Sequence, residues 1–240
     1  MKKLKTATLT IATLCGKDYE SFLSKWKTQL PNWVKVEVYT NDSNGIFEAK
    51  NNIVHNCDTE YIWMVDVDDD IDLFIKENWF ASLTYNHPDI VVLGDDGRML
   101  WQYIFKTSFI KKCYDEVNEA KKKEGIDILN LVSCEDMVVT ATKTWANGSR
   151  LYLPTKGVNH TINDISKTSS TKYTVEKLSS LYRSFPQLMR VSRHLDKDFM
   201  DWIVLNQCKK QYWEHYRNFC EDKEACDNFI NKIYKEIEIV

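Results

Sequence analysis

The 240-residue sequence lacks several features that define common protein classes. It has only 7 glycines and 4 prolines, which excludes collagen-like, low-complexity and turn-dominated all-β proteins. Its 32 basic side chains do not outnumber its 35 acidic ones, whereas a general nucleic-acid-binding domain is usually strongly basic. No apolar run approaches the roughly 20 residues of a membrane-spanning helix. The seven cysteines include no C-x-x-C pair, so neither a zinc ribbon nor a dithiol redox motif is indicated.

The composition is that of a globular protein. Apolar residues make up 43% of the chain and charged residues 28%, and a chain of this length can bury a substantial core without disulfides. The N-terminus begins with basic residues, but its short apolar stretch alternates with threonine and leads to Lys17 and Asp18 without a small-residue cleavage site. It therefore does not match a secretory signal peptide. We expect a soluble, reduced, cytoplasmic protein.

The spacing of apolar residues predicts strands and helices in alternation. Short alternating or continuously apolar runs predict strands, and runs with a spacing of three to four predict helices. The predicted strands are 5–13, 34–38, 61–65, 90–93 and 100–105, and the predicted helices are 18–30, 46–57 and 134–146. Residues 172–237 have no clear strand pattern and are predicted to form two or three helices. This order indicates an α/β fold with a mostly parallel sheet and a helical C-terminal extension.

The densest chemical signal is the acidic run from Asp66 to Asp72, which follows the predicted buried strand directly. It contains five carboxylates in seven residues, and these repel one another unless water or a cation compensates them. In extended backbone, the side chains of a D-x-D pair such as Asp66 and Asp68 point to the same side. Such a pair suits a hard divalent cation that is shared with substrate phosphates.

Other interpretations of this run remain open. The acids could form a solvated loop that caps a helix beginning at Leu73, or serve a two-metal nuclease, which would favour a more basic surface. A calcium loop is a third alternative, because Asp66, Asp68, Asp70, Asp72 and Glu77 fall on EF-hand positions one, three, five, seven and twelve. That loop needs glycine at position six, where this sequence has Ile71, and it follows a helix rather than a strand.

Six segments in order resemble motifs of the family 2 glycosyltransferases, which have the GT-A fold, a Rossmann-like, mostly parallel mixed sheet. The resemblance covers about residues 6–170. The matching segments are Asn41-Asp42-Ser43, Lys50-Asn51, Asp66-Val67-Asp68-Asp69, the acceptor-side segment 97–108, Cys134-Glu135-Asp136-Met137, and Asn159-His160 followed by Ser166. Lys50 stands where the family usually has arginine, which keeps the charge and loses bidentate phosphate geometry. The second-strand loop lacks its usual glycine, and Leu14-Cys15-Gly16 lacks the common Pro-x-x-Asn pattern.

The resemblance implies a metal-dependent, inverting transferase that uses a nucleoside diphosphate sugar, with a UDP-sugar as the expected donor. It implies that residues 1–170 form the catalytic domain and residues 171–240 the extension. The expected donor-side residues are Asp42 at the base, Lys50 near the diphosphate, and Asp68 as a ligand of Mn²⁺ or Mg²⁺. Asp66 is expected to orient the ribose or a metal-bound water, or to share the metal. His160 is a candidate third metal or diphosphate ligand. Asp136 is the expected general base, with Glu135 orienting it or the acceptor.

The resemblance leaves the acceptor open. A hydroxyl on a glycan, on a lipid-linked glycan or on a hydroxymethylated DNA base reached by base flipping would each serve, and a non-enzymatic calcium- or metal-binding module is the non-catalytic alternative. Glu135 and Asp136 also suit a helix cap, and a lone histidine is often a surface residue. Trp101 and Tyr103 could stack on a sugar or pack in the core. Residues 172–217 carry nine basic and five acidic side chains interleaved with aromatics. Such a face could meet an anionic membrane, a partner chain or nucleic acid, but a solvated cationic face with its aromatics buried against the core is the favoured interpretation.

Overall fold

The structure is a computed structural model of the 240-residue chain. It describes residues 8–15, 24, 30–31, 33–40, 45–66, 70–71, 83, 85–94, 100–129, 131, 135–154, 157–159, 173–195, 217 and 219–237. Within these ranges, no helix combines the length and the hydropathy needed to cross a bilayer.

Eight strands and six helices are assigned within the described ranges. The strands are β1 (Leu9–Cys15), β2 (Val34–Thr40), β3 (Tyr61–Asp66), β4 (Asp70–Ile71), β5 (Ile90–Leu93), β6 (Tyr103–Lys106), β7 (Arg150–Leu153) and β8 (Val158–Asn159). The helices are α1 (Ile46–Asn56), α2 (Thr107–Lys123), α3 (Glu135–Thr140), α4 (Lys143–Asn147), α5 (Val175–Ser192) and α6 (Lys223–Ile237). A 3₁₀ turn, Leu100–Gln102, leads into β6.

The main sheet has six strands in the order β2-β1-β3-β6-β5-β7. The pairs β1–β2, β1–β3 and β5–β7 are parallel, whereas β6 runs antiparallel to both of its neighbours, β3 and β5. Because β6 is reversed, its beginning lies at the edge where β1 and β3 end. The sheet is therefore mixed and mostly parallel, as the sequence predicts.

Each face of the sheet is covered by a separate apolar cluster. Successive side chains of a strand point to opposite faces, so Ile62 and Met64 of β3 pack with α1 to α4, and Trp63 and Val65 pack on the other side. All five residues from Tyr61 to Val65 are buried, which is typical of an interior strand of a covered sheet. Helices α1 and α3, which pack on the face of Ile62 and Met64, carry side chains of the candidate site.

Helix α5 joins the C-terminal extension to the main core. Its Leu188 and Val191 are buried in the same cluster as α1 and α3, while Leu178 packs with Ile230 and Ile233 of α6 in a smaller cluster. The predicted helical character of this region is confirmed for α5 and α6, and a single bridge pairs Tyr173 with Cys220.

Several predicted bounds differ from the observed ones. The predicted strand 100–105 begins as a 3₁₀ turn and becomes extended only at Tyr103. The predicted helix 134–146 is divided into α3 and α4, because the Thr142 hydroxyl accepts a hydrogen bond from the Trp145 N–H and starts a new helix. The predicted helix 18–30 lies almost entirely outside the described residues.

Candidate active site

A cleft opens where β1 and β3 end, beneath α1. It is open to solvent, and its wall comes from two strands, one helix and the 3₁₀ turn. The lining residues are Ala12, Leu14, Lys50, Ile53, Met64, Val65, Asp66 and Trp101. In open α/β sheets this edge is where ligands bind, and the apolar walls surround two charged side chains.

Asp66 brings a carboxylate to the floor of the cleft. It is the last residue of β3 and the exposed one after five buried positions, so the strand leaves the core at this point. The register of β3 and β6 pairs Trp63 with Ile104, and Trp101 of the 3₁₀ turn before β6 lines the same cleft as Asp66. Trp101 is half-buried, and its carbonyl accepts a hydrogen bond from the Trp63 indole N–H at 2.8 Å.

Lys50 and Asp136 form an ion pair at the border of this cleft. Lys50 follows Phe47 and precedes Ile53 by three residues, so it shares the inward face of α1 with those buried residues. Its Nζ lies 3.0 Å from Oδ1 of Asp136, the second residue of α3, and each side chain is only 12% exposed. The Leu100 N–H donates to the other oxygen, Oδ2, also at 3.0 Å. Two elements, α1 and the 3₁₀ turn, therefore hold a carboxylate that is carried by α3.

This arrangement has clear chemical capacities. A carboxylate has about four lone-pair positions, so the two hydrogen bonds on Asp136 leave room to accept another from a substrate hydroxyl. An ammonium group has three donors and no acceptor, and Lys50 can meet an anionic ligand in the cleft. The carboxylate of Asp66 is the type of oxygen ligand that suits a hard divalent cation. The described part of the site thus contains one ammonium group and two carboxylates, of which Asp66 lines the cleft with Lys50 and Asp136 is ion-paired with Lys50.

Some of the predicted site residues lie within the described part of the chain and others lie outside it. Lys50 and Asp66 line one cleft, Asp136 is ion-paired with Lys50, and Glu135 is the first residue of α3. Asp42, Asp68 and His160 lie outside the described residues. Among the residues that are described, no group of three or more histidine, cysteine or acidic side chains is arranged to hold a metal. The strand pairing of Asp70 with Asn159 joins the acidic run to the residue before His160.

Tyr103 is not available as a sugar-stacking platform. Its side chain is fully buried and meets the Trp145 ring edge-on, with the centroids 5.0 Å apart, so its role is in the core. Trp101, two residues earlier, does line the cleft. The sequence reasoning also missed the Leu100 N–H, because a backbone donor leaves no signal in residue types.

The mixed six-stranded sheet with its helices is the GT-A glycosyltransferase fold. S. aureus TarS 1–349 in complex with UDP-GlcNAc matches with a TM-score of 0.50 and 12% identity, over 97% of this chain and 90% of that one. Its UDP complex matches with a TM-score of 0.45 and 13% identity over the same shares. At such identities the likeness establishes the fold alone. No protein-family model matches the chain, and no curated protein matches its sequence significantly.

Proposed function

We propose that the protein is a glycosyltransferase that moves a sugar from a nucleoside diphosphate sugar, with UDP-sugars as the expected donors, to an acceptor hydroxyl. The observation that carries the proposal is the cleft at the carboxyl edge of a GT-A sheet, lined by Asp66 and Lys50 and bordered by Asp136. The sequence motifs selected these three residues from positions up to 86 apart. The UDP-GlcNAc complex of TarS supports the choice of donor.

The donor-side residues fit a divalent cation. Asp66 presents an exposed carboxylate at the strand end, and Asp68 follows two residues later, so hard oxygen ligands are available for Mn²⁺ or Mg²⁺. A cation held there would stabilise the negative charge that develops on the leaving diphosphate. The pairing of Asp70 with Asn159 supports His160 as an additional ligand. Asp42 is proposed to accept a hydrogen bond from the uracil N3–H.

Asp136 is the proposed general base. As the acceptor oxygen attacks the anomeric carbon, its proton passes to Asp136 while the bond from that carbon to the diphosphate oxygen breaks. A single displacement of this kind inverts the anomeric configuration, which NMR of the product would reveal. Glu135, the adjacent residue on α3, is proposed to orient the acceptor. The acceptor class is a carbohydrate or another hydroxyl compound.

The first experiment measures turnover of UDP- and GDP-sugars with an acceptor panel, with and without Mn²⁺. We expect transfer from a UDP-sugar that EDTA abolishes; equal rates in EDTA would reject the metal role. Asp68→Ala should weaken metal-dependent UDP binding in calorimetry, and unchanged affinity would remove Asp68 as a ligand.

Asp136→Asn should fold, bind UDP normally and lose about 10²- to 10⁴-fold in kcat, because loss of a general base costs about that much. Asp127→Asn is the matched control, since Asp127 is exposed and is not among the residues that line the cleft. Near-normal turnover by Asp136→Asn would show that another group takes the proton.

A further inference from the structure

The Lys50–Asp136 contact joins a residue expected on the donor side to the residue expected on the acceptor side. The resemblance to family 2 glycosyltransferases places the cation of the Lys50 position near the diphosphate. In the structure Lys50 lines the cleft, and its Nζ is 3.0 Å from Asp136 Oδ1. From this geometry we infer that Lys50 is a positioning residue for the proposed base, and this inference rests on the proposed transferase function.

The lysine side chain has little freedom to leave this contact. It lies on the inward face of α1, between the buried Phe47 and Ile53, and is only 12% exposed. Two residues earlier on the same helix, Glu48 forms an ion pair with Lys121 and accepts the Leu129 N–H at 3.1 Å. Helix α1 therefore holds the chain before α3 through Glu48 and holds α3 itself through Lys50.

The carboxylate of Asp136 is fixed at both oxygens. Lys50 Nζ binds Oδ1, and the Leu100 N–H binds Oδ2 at 3.0 Å. These two donors come from α1 and from the turn before β6, so they determine the plane of the carboxylate and leave its remaining lone pairs directed elsewhere. A base acts only when its oxygen is within hydrogen-bond reach of the proton it accepts. Loss of either donor allows the carboxylate to rotate out of that position.

The ammonium group also balances the charge of a largely buried carboxylate. Asp136 is 8% exposed as a residue, and a charge removed from water is tolerated when it is paired and hydrogen-bonded. If Lys50 were engaged mainly with the donor diphosphate, Asp136 would keep, of these two partners, the Leu100 N–H. The geometry thus favours a role in catalysis over a role in donor affinity, and the two roles predict different kinetics.

The test compares kcat, the KM for the donor and the calorimetric Kd for UDP in Lys50→Met, Lys50→Arg and wild type. We expect Lys50→Met to lose at least about tenfold in kcat, because misplacing a catalytic group is costly, with the donor KM and the Kd for UDP changed less than about twofold. Lys50→Arg, which keeps the charge, should recover part of kcat. Lys111→Met is the matched control, because Lys111 is a half-buried lysine whose Nζ donates to the Cys57 carbonyl.

Each other outcome counts against a specific claim. A weaker Kd for UDP in Lys50→Met, with or without a loss of kcat, would assign Lys50 to the diphosphate and overturn the inference, as would unchanged kinetics or no rescue by Lys50→Arg. If Lys50→Met fails to fold, judged by circular dichroism, then Lys50→Arg and Lys50→Gln carry the comparison. No turnover by the wild-type protein with any donor would refute the proposed function itself, whereas active wild type with an unaffected Lys50→Met would refute only the positioning role.

Discussion

Gly157 occupies a position where any side chain would meet both strain and crowding. It lies between β7 and β8 with φ +68°, and an added Cβ would be 2.5 Å from Leu93 Cδ1 and 3.1 Å from Trp63 Cζ2. We predict that Gly157→Ala lowers the free energy of unfolding by about 2–4 kcal/mol, the sum of a left-handed backbone penalty and overpacking. Urea denaturation would measure this.

Gly125 provides the control for that prediction. Its φ is +63°, but nothing lies within 4 Å of an added Cβ. Gly125→Ala therefore carries only the backbone penalty, about 1–2 kcal/mol. Equal losses for the two variants would mean that Leu93 and Trp63 yield without cost.

Single residues also differ in whether their position can be predicted from the sequence. The exposed position of Asp66 follows from five apolar residues and then an acid, so the end of β3 could be predicted. The burial of Tyr103 could not, because it depends on Trp145 of α4 covering that face. From the sequence, Trp101 and Tyr103 are equal candidates for stacking on a sugar. Only tertiary packing shows that Trp101 lines the cleft and that Tyr103 lies in the core.

At the scale of elements, α1 and α2 are joined by a buried ion pair. Glu48 and Lys121 have side chains that are 15% and 7% exposed, and Lys121 lies 5.3 Å from the Phe47 ring centroid. We predict that Glu48→Gln lowers the free energy of unfolding by about 3 kcal/mol, because removing one partner leaves a buried charge uncompensated. Thermal or urea unfolding would measure the loss.

The double variant Glu48→Gln/Lys121→Met tests the cause. With both charges gone, no uncompensated charge remains, so the double variant should be more stable than Glu48→Gln alone. Additive losses would indicate instead that the two side chains stabilise the protein through separate contacts.

Local periodicity predicted the elements that carry strong apolar patterns. The strands at 34–40, 61–66 and 90–93 and helix α1 are confirmed within a few residues. Helix α2 is the exception, because it is not among the predicted helices although its buried Phe109, Cys113 and Val117 are spaced four residues apart. The short strands β7 and β8 were missed because their extended form depends on distant partners, β5 and β4. The reversed direction of β6 is likewise set by its neighbours in space.

At the scale of the whole molecule, a carboxylate that titrates, that of Glu124, links α2 to α5 and the residues after it. Glu124, at the end of α2, accepts hydrogen bonds from His194 Nε2 at 2.6 Å and Arg190 Nε at 2.9 Å. These bonds, first that of His194 and then that of Arg190, lower the pKa of Glu124 from its ordinary value of 4.5. A lowered folded pKa contributes stability above the unfolded pKa and loses it as the pH falls through the folded pKa.

We therefore predict that Glu124→Gln lowers the Tm at pH 6, and that its difference from wild type shrinks as the pH falls below about 4.5. Scanning calorimetry from pH 6 to pH 3 would measure the difference. Glu119→Gln, at an exposed position on the same helix, is the control and should show no such pH dependence. A constant difference for Glu124→Gln at all pH values would contradict the assignment.

The arrangement of the whole site was predictable only in part. The order of motifs selected Lys50, Asp66 and Asp136, and an α/β sheet brings strand ends to one edge. The direct contact of Lys50 with Asp136, 86 residues apart, depends on how α3 docks beside α1, which no local pattern encodes. The division at residues 170 and 171 stays a prediction, although Leu188 and Val191 of the extension complete the core beneath α3.

The hydrogen bond from the Leu100 amide to Asp136 affects which amino-acid substitutions this site tolerates. A main-chain donor survives every replacement at position 100 except proline, which has no N–H. Replacement of Leu100 by another apolar residue that fills its buried site would therefore keep half of the anchorage of the carboxylate. The other half is supplied by the Lys50 side chain, so a single substitution at position 50 can remove it.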